Sequence, residues 1–264
     1  MYNFDYVKAK SIDDAAAALG REEAYLMSGG QSLVPTLKQR LSQPSLLVDV
    51  SGIPEMIGVQ AAGGSLTIGG ATTHAAVATD PHVRDAIPAL AELAGGIGDP
   101  QVRNRGTLGG SLAHNDPAAC YPAAALALRA TIVTNAREIE ADDYFQGMFD
   151  TALEEGEIIK AVRFPIPHSA CYRKFIQPAS RFAMAAAFVA RTTEGPRVAI
   201  TGASTSGVFR WTEAEEALAA NWSPEAIEPL ALDAEDMLGD IHASPAYRAH
   251  LAKVMTKRAI ADAR

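Results

Sequence analysis

The sequence predicts an α+β protein: two α/β lobes, a small parallel one and a larger one with a mixed sheet, followed by a smaller C-terminal domain with a three-stranded antiparallel sheet and helices. Three observations lead there. Up to about residue 50, short apolar runs alternate with helical periodicity, the pattern of parallel strands joined by helices. Beyond Ser51-Gly52-Ile53-Pro54, hairpin spacing and glycine turns take over. Past Pro165-Ile166-Pro167, three strand-like runs precede two helical ones. At 264 residues, 48% of them hydrophobic, the chain is long enough for more than one core. The expected domains are 1–165, with lobes of about 1–54 and 55–165, and 166–264.

Each element has a local reason. Ser11 caps an alanine-rich helix with Asp13 and Asp14 in its first turn, and Gly20 closes it. The strand Ala24–Met27 enters the turn Ser28-Gly29-Gly30-Gln31-Ser32. A helix from Leu33 to Leu41 follows, with Ser32 as cap and Pro35 in the first turn, where its missing N–H matters little. Leu46–Val50 is a continuous apolar strand, so at least two parallel strands are expected to be buried on both faces.

Ile57–Gln60 and Leu66–Ile68 form a hairpin about Gly63-Gly64, and Gly69 to His74 leads into a helix. Helical spacing holds from Val83 to Leu93, ending at Gly95-Gly96. Ile97 to Arg105 is polar and irregular, and Thr107 to Leu112 reads as a strand. Asp116-Pro117 starts a helix over Ala118–Leu128, followed by strands at Thr131–Thr134 and Ile158–Phe164. In the last third, Tyr172–Ile176, Met184–Arg191 and Arg197–Gly202 form the antiparallel sheet. Helices Thr212–Ala220 and Pro245–Ala261 cover one of its faces, and Glu213, Glu215 and Glu216 read as a solvated helix face.

Composition sets bounds on function. A formal charge of −8 argues against nucleic acid or an anionic membrane surface as partner. No apolar run approaches the roughly 20 residues of a membrane span. The start, Met1 to Asp5, has neither a basic flank nor an apolar signal core, so a cytoplasmic location is expected. Cys120 and Cys171 are the only cysteines, too few to ligate an iron–sulfur cluster, so any such centres lie on another chain. Neither a nucleophile triad, nor metal-ligand spacing, nor a pair of catalytic carboxylates emerges, and no metal is expected.

What stands out is a pair of glycine loops, Ser28 to Leu33 and Gly106-Thr107-Leu108-Gly109-Gly110-Ser111. Glycine lets a bulky anion approach the main chain, and a strand–turn–helix junction aims N–H groups at it. Thr107 and Ser111 add hydroxyls. Neither loop carries the G-x-G-x-x-G of a Rossmann site or the Lys-Ser/Thr of a P-loop. A dinucleotide whose diphosphate is clamped by main-chain amides between two lobes fits best.

These motifs resemble those of the FAD-binding (medium) subunit of the molybdenum hydroxylase family, which includes the medium subunit of carbon monoxide dehydrogenase and the flavin domain of xanthine dehydrogenase. Ser28-Gly29-Gly30-Gln31-Ser32 is similar to its A-G-G-H/Q-S motif, and Gln101 to Ala113 to its I-R-N-x-G-T-I-G-G-S/N motif. Likeness continues through Ile68 to His74, Asp116 to Ala119, Pro178 to Ala183 and the tail Tyr247 to Leu251, so it covers essentially the whole chain.

The resemblance implies FAD as cofactor. Ser28, Gly29, Gly30, Gln31, Ser32, Leu33, Thr107, Gly109, Gly110 and Ser111 would lie about its diphosphate and ribityl chain. Ile97 and Ile159 would make apolar or main-chain contacts, Lys174 would reach the flavin, and Phe182 would stand over the ring. Cys120 stands where relatives usually carry a second aspartate in D-P-A-A-D, and sulfur is the weaker acceptor. The implied role is electron transfer beside a large molybdopterin-binding subunit and a small iron–sulfur subunit, in a dimer of heterotrimers. A self-contained flavin oxidase or reductase and a flavin-free assembly subunit are the alternatives.

Overall fold

A computed structural model describes residues 1–264. In the small lobe, Leu46–Asp49 lies between Asp5–Lys8 and Ala24–Met27, all three strands parallel. Parallel neighbours need crossovers, here the helices Ile12–Leu19 and Leu33–Lys38. Ser11 caps the first, its hydroxyl accepting the Asp14 N–H at 3.1 Å. Only Leu46–Asp49 is buried along its whole length, so the expectation of two such strands holds for one. A three-stranded sheet has a single interior strand, and Asp5–Lys8, unmarked in the sequence, is an exposed edge. Ser32 does not cap the second helix. Its backbone is already helical (φ −103°, ψ −49°), so the hydroxyl cannot turn back onto the first N–H groups.

The larger lobe holds five strands in the order Val59–Ala62, Ser65–Gly69, Ile159–Pro165, Thr131–Thr134, Glu138–Glu140. Every pair is antiparallel, which corrects the expected mixed sheet. Ile159–Pro165 returns after a long excursion and slots between the inner strands of two hairpins, opposed to both. The helix expected over Val83–Leu93 is two, Pro81–Ala86 and Pro88–Gly95, because Pro88 has no N–H to continue the ladder. The irregular stretch 97–105 contains one short helix, Pro100–Arg103, capped by Asp99.

A second correction concerns the site itself. Leu108–His114 is a helix, not a strand. Thr107 alone is extended (φ −123°, ψ 155°), bridging Thr73, and its hydroxyl then accepts the Gly110 N–H at 3.3 Å as an N-cap. The next helix starts at Tyr121 rather than Ala118, because Asp116 turns the chain first by accepting the Ala118 N–H at 2.8 Å.

The C-terminal sheet has four strands, not three: Ser169–Ile176, Ala183–Thr192, Gly195–Ser204 and the short Gly207–Arg210, all antiparallel. Ala186, Phe188 and Ala190 face the core of the larger lobe, with Tyr121–Ala127 packed against them. Ala185, Ala187 and Val189 face the opposite way, into the core under Thr212–Ala220 and Pro245–Asp262. Both faces are therefore covered. Glu215, read as solvated, is buried and accepts the Val198 N–H at 3.0 Å and the Arg210 guanidinium, whereas Glu213 and Glu216 are exposed. No helix is long and apolar enough to cross a membrane.

Candidate functional site

Where the two lobes and the C-terminal sheet meet lies a cleft of about 770 Å³. The strand Ala24–Met27 delivers the first loop into it. None of the six consecutive N–H groups from Ser28 to Leu33 donates to another residue of the chain. Part of this row is open to water, with Gln31 and Ser32 exposed, and consecutive unpaired amides at a strand–turn–helix junction suit an anion. Gly30 takes the left-handed conformation (φ 69°) that turns the row, and Gln31 folds its amide onto the Gly29 carbonyl at 3.2 Å.

The second loop has a different task. Its Leu108, Gly109, Gly110 and Ser111 amides donate to the Thr72 and Gly70 carbonyls, the Thr107 hydroxyl and the Thr107 carbonyl. The expectation that both loops offer free amides therefore holds for the first loop only. The second offers hydroxyls and a backing wall. Ser28 and Thr107 join the loops through their hydroxyls at 2.9 Å. The two chains nearly touch: a Cβ on Gly29 would lie 2.2 Å from the Arg105 carbonyl oxygen and 2.6 Å from Gly106 Cα. On Gly109 it would lie 2.7 Å from the Gly70 oxygen. Only glycine permits this junction, so the row of amides is held at the mouth of a cleft that side chains do not fill.

At the C-terminal end Lys174 projects from its strand. Its ammonium donates to the Gly96 carbonyl at 2.7 Å, the Arg181 carbonyl at 3.2 Å and the Cys120 sulfur at 3.6 Å. Three donors meet three acceptors, so the lysine presents charge to the cleft but no spare N–H. Through Arg181 it anchors the tight turn that holds Phe182 at the rim, half-exposed. Arg103 donates to the Ile97 and Gly98 carbonyls at 3.0 and 3.1 Å and so shapes the neighbouring rim instead of facing a phosphate.

All fifteen residues singled out from the sequence line this one cleft: Ser28, Gly29, Gly30, Gln31, Ser32, Leu33, Ile97, Thr107, Gly109, Gly110, Ser111, Cys120, Ile159, Lys174 and Phe182. Sequence reasoning missed Glu157, its apolar neighbour Leu153, and the wall made by Tyr25, Leu26, Val50 and Met56. Nothing in their local pattern distinguishes them from core. Glu157 is ionised well below the usual carboxylate range, chiefly through its hydrogen bond from Arg137. His74 is 5% exposed and packs against Tyr121, with ring centroids 5.3 Å apart and planes tilted by 46°. It also lies directly beneath Gly106 and lines the cleft. Burial, reinforced by Arg103, pushes its pKa from 6.5 down to about 4, so the imidazole is neutral at pH 7.

Fold and site together define the class of protein with a long cleft between two lobes and a row of unpaired main-chain amides at its mouth, an arrangement suited to a nucleotide-type ligand. Residues 2–167 match the family described as the FAD binding domain in molybdopterin dehydrogenase, and residues 175–263 the CO dehydrogenase flavoprotein C-terminal domain. The chain belongs to this FAD-binding family, with FAD as its cofactor, and is an oxidoreductase subunit of the medium-chain type. It is 34% identical to the nicotine 6-hydroxylase medium subunit of Paenarthrobacter nicotinovorans, over 98% of this chain and 96% of that one. It is likewise 34% identical to the carbon monoxide dehydrogenase medium chain of Hydrogenophaga pseudoflava, over 97% and 96%. A solved carbon monoxide dehydrogenase from Hydrogenophaga pseudoflava superposes with a TM-score of 0.90 at 33% identity, covering 98% of this chain and 96% of that one. Reconstituted CO dehydrogenase from Oligotropha carboxidovorans gives 0.91 at 32% identity, over 98% and 97%.

Proposed function

We propose that this chain is the electron-transfer flavoprotein of a multi-subunit molybdenum hydroxylase, taking electrons from iron–sulfur clusters on a small subunit and passing them to an external acceptor. A large molybdopterin-binding subunit completes the complex, as a cytoplasmic dimer of heterotrimers. Residues 1–165 serve as the FAD-binding domain and 166–264 as its C-terminal flavoprotein domain. The observation that carries the proposal is the row of six unpaired amides, Ser28 to Leu33, at a junction only glycines allow.

Bound FAD supplies the redox chemistry; the chain supplies binding, orientation and electrostatics. The Ser28–Leu33 amides meet the diphosphate, and the Ser28, Thr107 and Ser111 hydroxyls lie beside it. Lys174 fixes a positive charge near the ring end, and its contact with Arg181 holds Phe182 over that end, where an aromatic excludes water. Ile97 and Ile159 give the ring apolar walls. Neutral, buried His74 supports the second loop from beneath and transfers no proton. No nucleophile triad or pair of catalytic carboxylates is recognised in the sequence, which agrees with a relay, since a relay needs only that electrons arrive and leave.

The choice of substrate lies outside this chain. Equal identity, 34%, to relatives named for nicotine and for carbon monoxide supports that division. The test is co-expression with candidate large and small subunits, followed by a visible spectrum and rapid reduction by substrate. A complex that forms yet contains no flavin, or an isolated chain that turns over a small molecule by itself, overturns the proposal.

A further inference from the structure

We propose that Cys120 and Lys174 form an oxidisable pair in which peroxide links the cysteine sulfur to the lysine nitrogen. The proposal concerns residues of this chain alone and stands whether or not the electron-relay reading does. Four observations carry it. The Cys120 sulfur and Lys174 Nζ are 3.6 Å apart, so a bond between them needs only a small approach. Cys120 is 6% exposed, yet what it exposes lines the cleft, within reach of a solute as small as hydrogen peroxide. Tyr172 is 7% exposed, the Cys120 thiol is its hydroxyl's polar neighbour, and no nitrogen or oxygen of the chain accepts from that hydroxyl. That leaves an O–H free to donate to an oxygen placed on the sulfur.

The fourth observation is topological. Tyr172 and Lys174 are two residues apart on one strand and share a face, the face toward Cys120, whereas Cys171 points to the other side. Cys171 belongs to the core under the C-terminal helices, and Cys120 to that of the larger lobe. A sulfenic acid on Cys120 therefore has no thiol within its reach and one amine directly beside it.

The chemistry balances with hydrogen peroxide as oxidant. The Cys120 sulfur attacks the O–O bond: S–O forms, O–O breaks, and the departing oxygen takes a proton and leaves as water. The sulfur is oxidised by two electrons and the peroxide reduced by two. Lys174 then releases one proton to solvent, Nζ attacks Sγ, N–S forms, S–O breaks, and a second water leaves. The product is a sulfenamide bridge from the lobe helix to the C-terminal sheet. Linked this way, Lys174 loses its charge and its place in the anchor of the Phe182 turn, so oxidation would alter the cleft at the point where the ring end is held.

The experiment is intact-mass and peptide analysis of the full-length chain after graded hydrogen peroxide under denaturing quench, with and without added FAD. Expected is a loss of about 2 Da, against the gain of about 16 Da for a sulfenic acid, together with a peptide joined through Cys120 and Lys174 and no tryptic cleavage at Lys174. Thiol reductant restores the starting mass. The loss persists in C171S, which excludes a Cys120–Cys171 disulfide, and disappears in C120S and in K174M. Successive gains of about 16 Da with Lys174 still cleaved overturn the proposal. So does a loss that survives K174M or vanishes in C171S.

Discussion

Replacing Gly29 by alanine tests the loop junction most directly. Gly29 has no left-handed φ, so alanine meets no backbone penalty of its own, and whatever follows is steric. The new Cβ lies 2.2 Å from the Arg105 carbonyl oxygen, 2.8 Å from the Arg105 carbonyl carbon and 2.6 Å from Gly106 Cα. All three are backbone atoms, and none can swing away as a side chain would. To reach ordinary contact the loops must part by roughly 1 Å, a forced overpacking that costs about 1–3 kcal/mol. The Ser28–Thr107 hydrogen bond, 2.9 Å long, spans the same gap and stretches with it. If the strain falls on the bound state, FAD affinity drops by about 5–150-fold. If it falls on the fold, the melting temperature drops by roughly 2–12 °C.

Fluorescence titration with FAD and a thermal melt of the same preparation read both. Gly20→Ala is the control. Its φ is −66°, and its nearest new neighbour, the Ala17 oxygen, lies at 3.4 Å, so a change within about 0.5 kcal/mol is expected. A Gly29→Ala protein with unchanged FAD affinity and unchanged melting temperature would refute the junction and the placing of the diphosphate there.

Three further outcomes are expected. His74 is held at a pKa of about 4 against 6.5 unfolded, so stability is unaffected above pH 6.5 and falls as the pH drops toward 4, where only the unfolded chain takes the proton. Between pH 6.5 and 5 this one group removes about 2 kcal/mol, and urea denaturation of H74Q should show a correspondingly flatter pH dependence than the parent. Equal slopes would refute it. Cys120→Asp gives the Lys174 ammonium, now 3.6 Å from sulfur, a charged acceptor. FAD retention through gel filtration should improve by about 0.5–1.5 kcal/mol, and unchanged retention removes the idea. Arg248, 5% exposed, donates to the Met184 and Gly202 carbonyls at 2.7 and 2.8 Å and to Asp240 at 2.7 Å. R248M strands the buried Met184 and Gly202 carbonyls, while the exposed Asp240 carboxylate stays hydrated, and should cost about 1–3 kcal/mol in urea denaturation, whereas a loss under about 0.5 kcal/mol counts against the assignment.

The sequence by itself determined what depends on local pattern. Ser11 and the apolar runs Leu46–Val50 and Met184–Ala190 each specify an element through capping or burial, and the glycine loops specify a site because only glycine allows such close backbones. The ten loop residues reached one cleft for that reason, whereas Ile97, Cys120, Ile159, Lys174 and Phe182, which line it too, were indicated by the family resemblance. Tertiary structure decided what depends on distant partners. Thr107–Leu112 looked extended, yet the cap formed by Thr107 and its bridge to Thr73 turn the rest into helix. Asp5–Lys8 and Gly207–Arg210 contain residues that suit a strand, Tyr6, Val7, Val208 and Phe209, but each is only four residues long and is fixed by the hydrogen bonds a neighbouring edge offers. The six amides of Ser28 to Leu33 are left free while those of Leu108 and Gly109 are occupied, because the Thr72 and Gly70 carbonyls come from another part of the chain. Local composition cannot encode that, since a donor's availability depends on which acceptor folding brings within 3 Å or so.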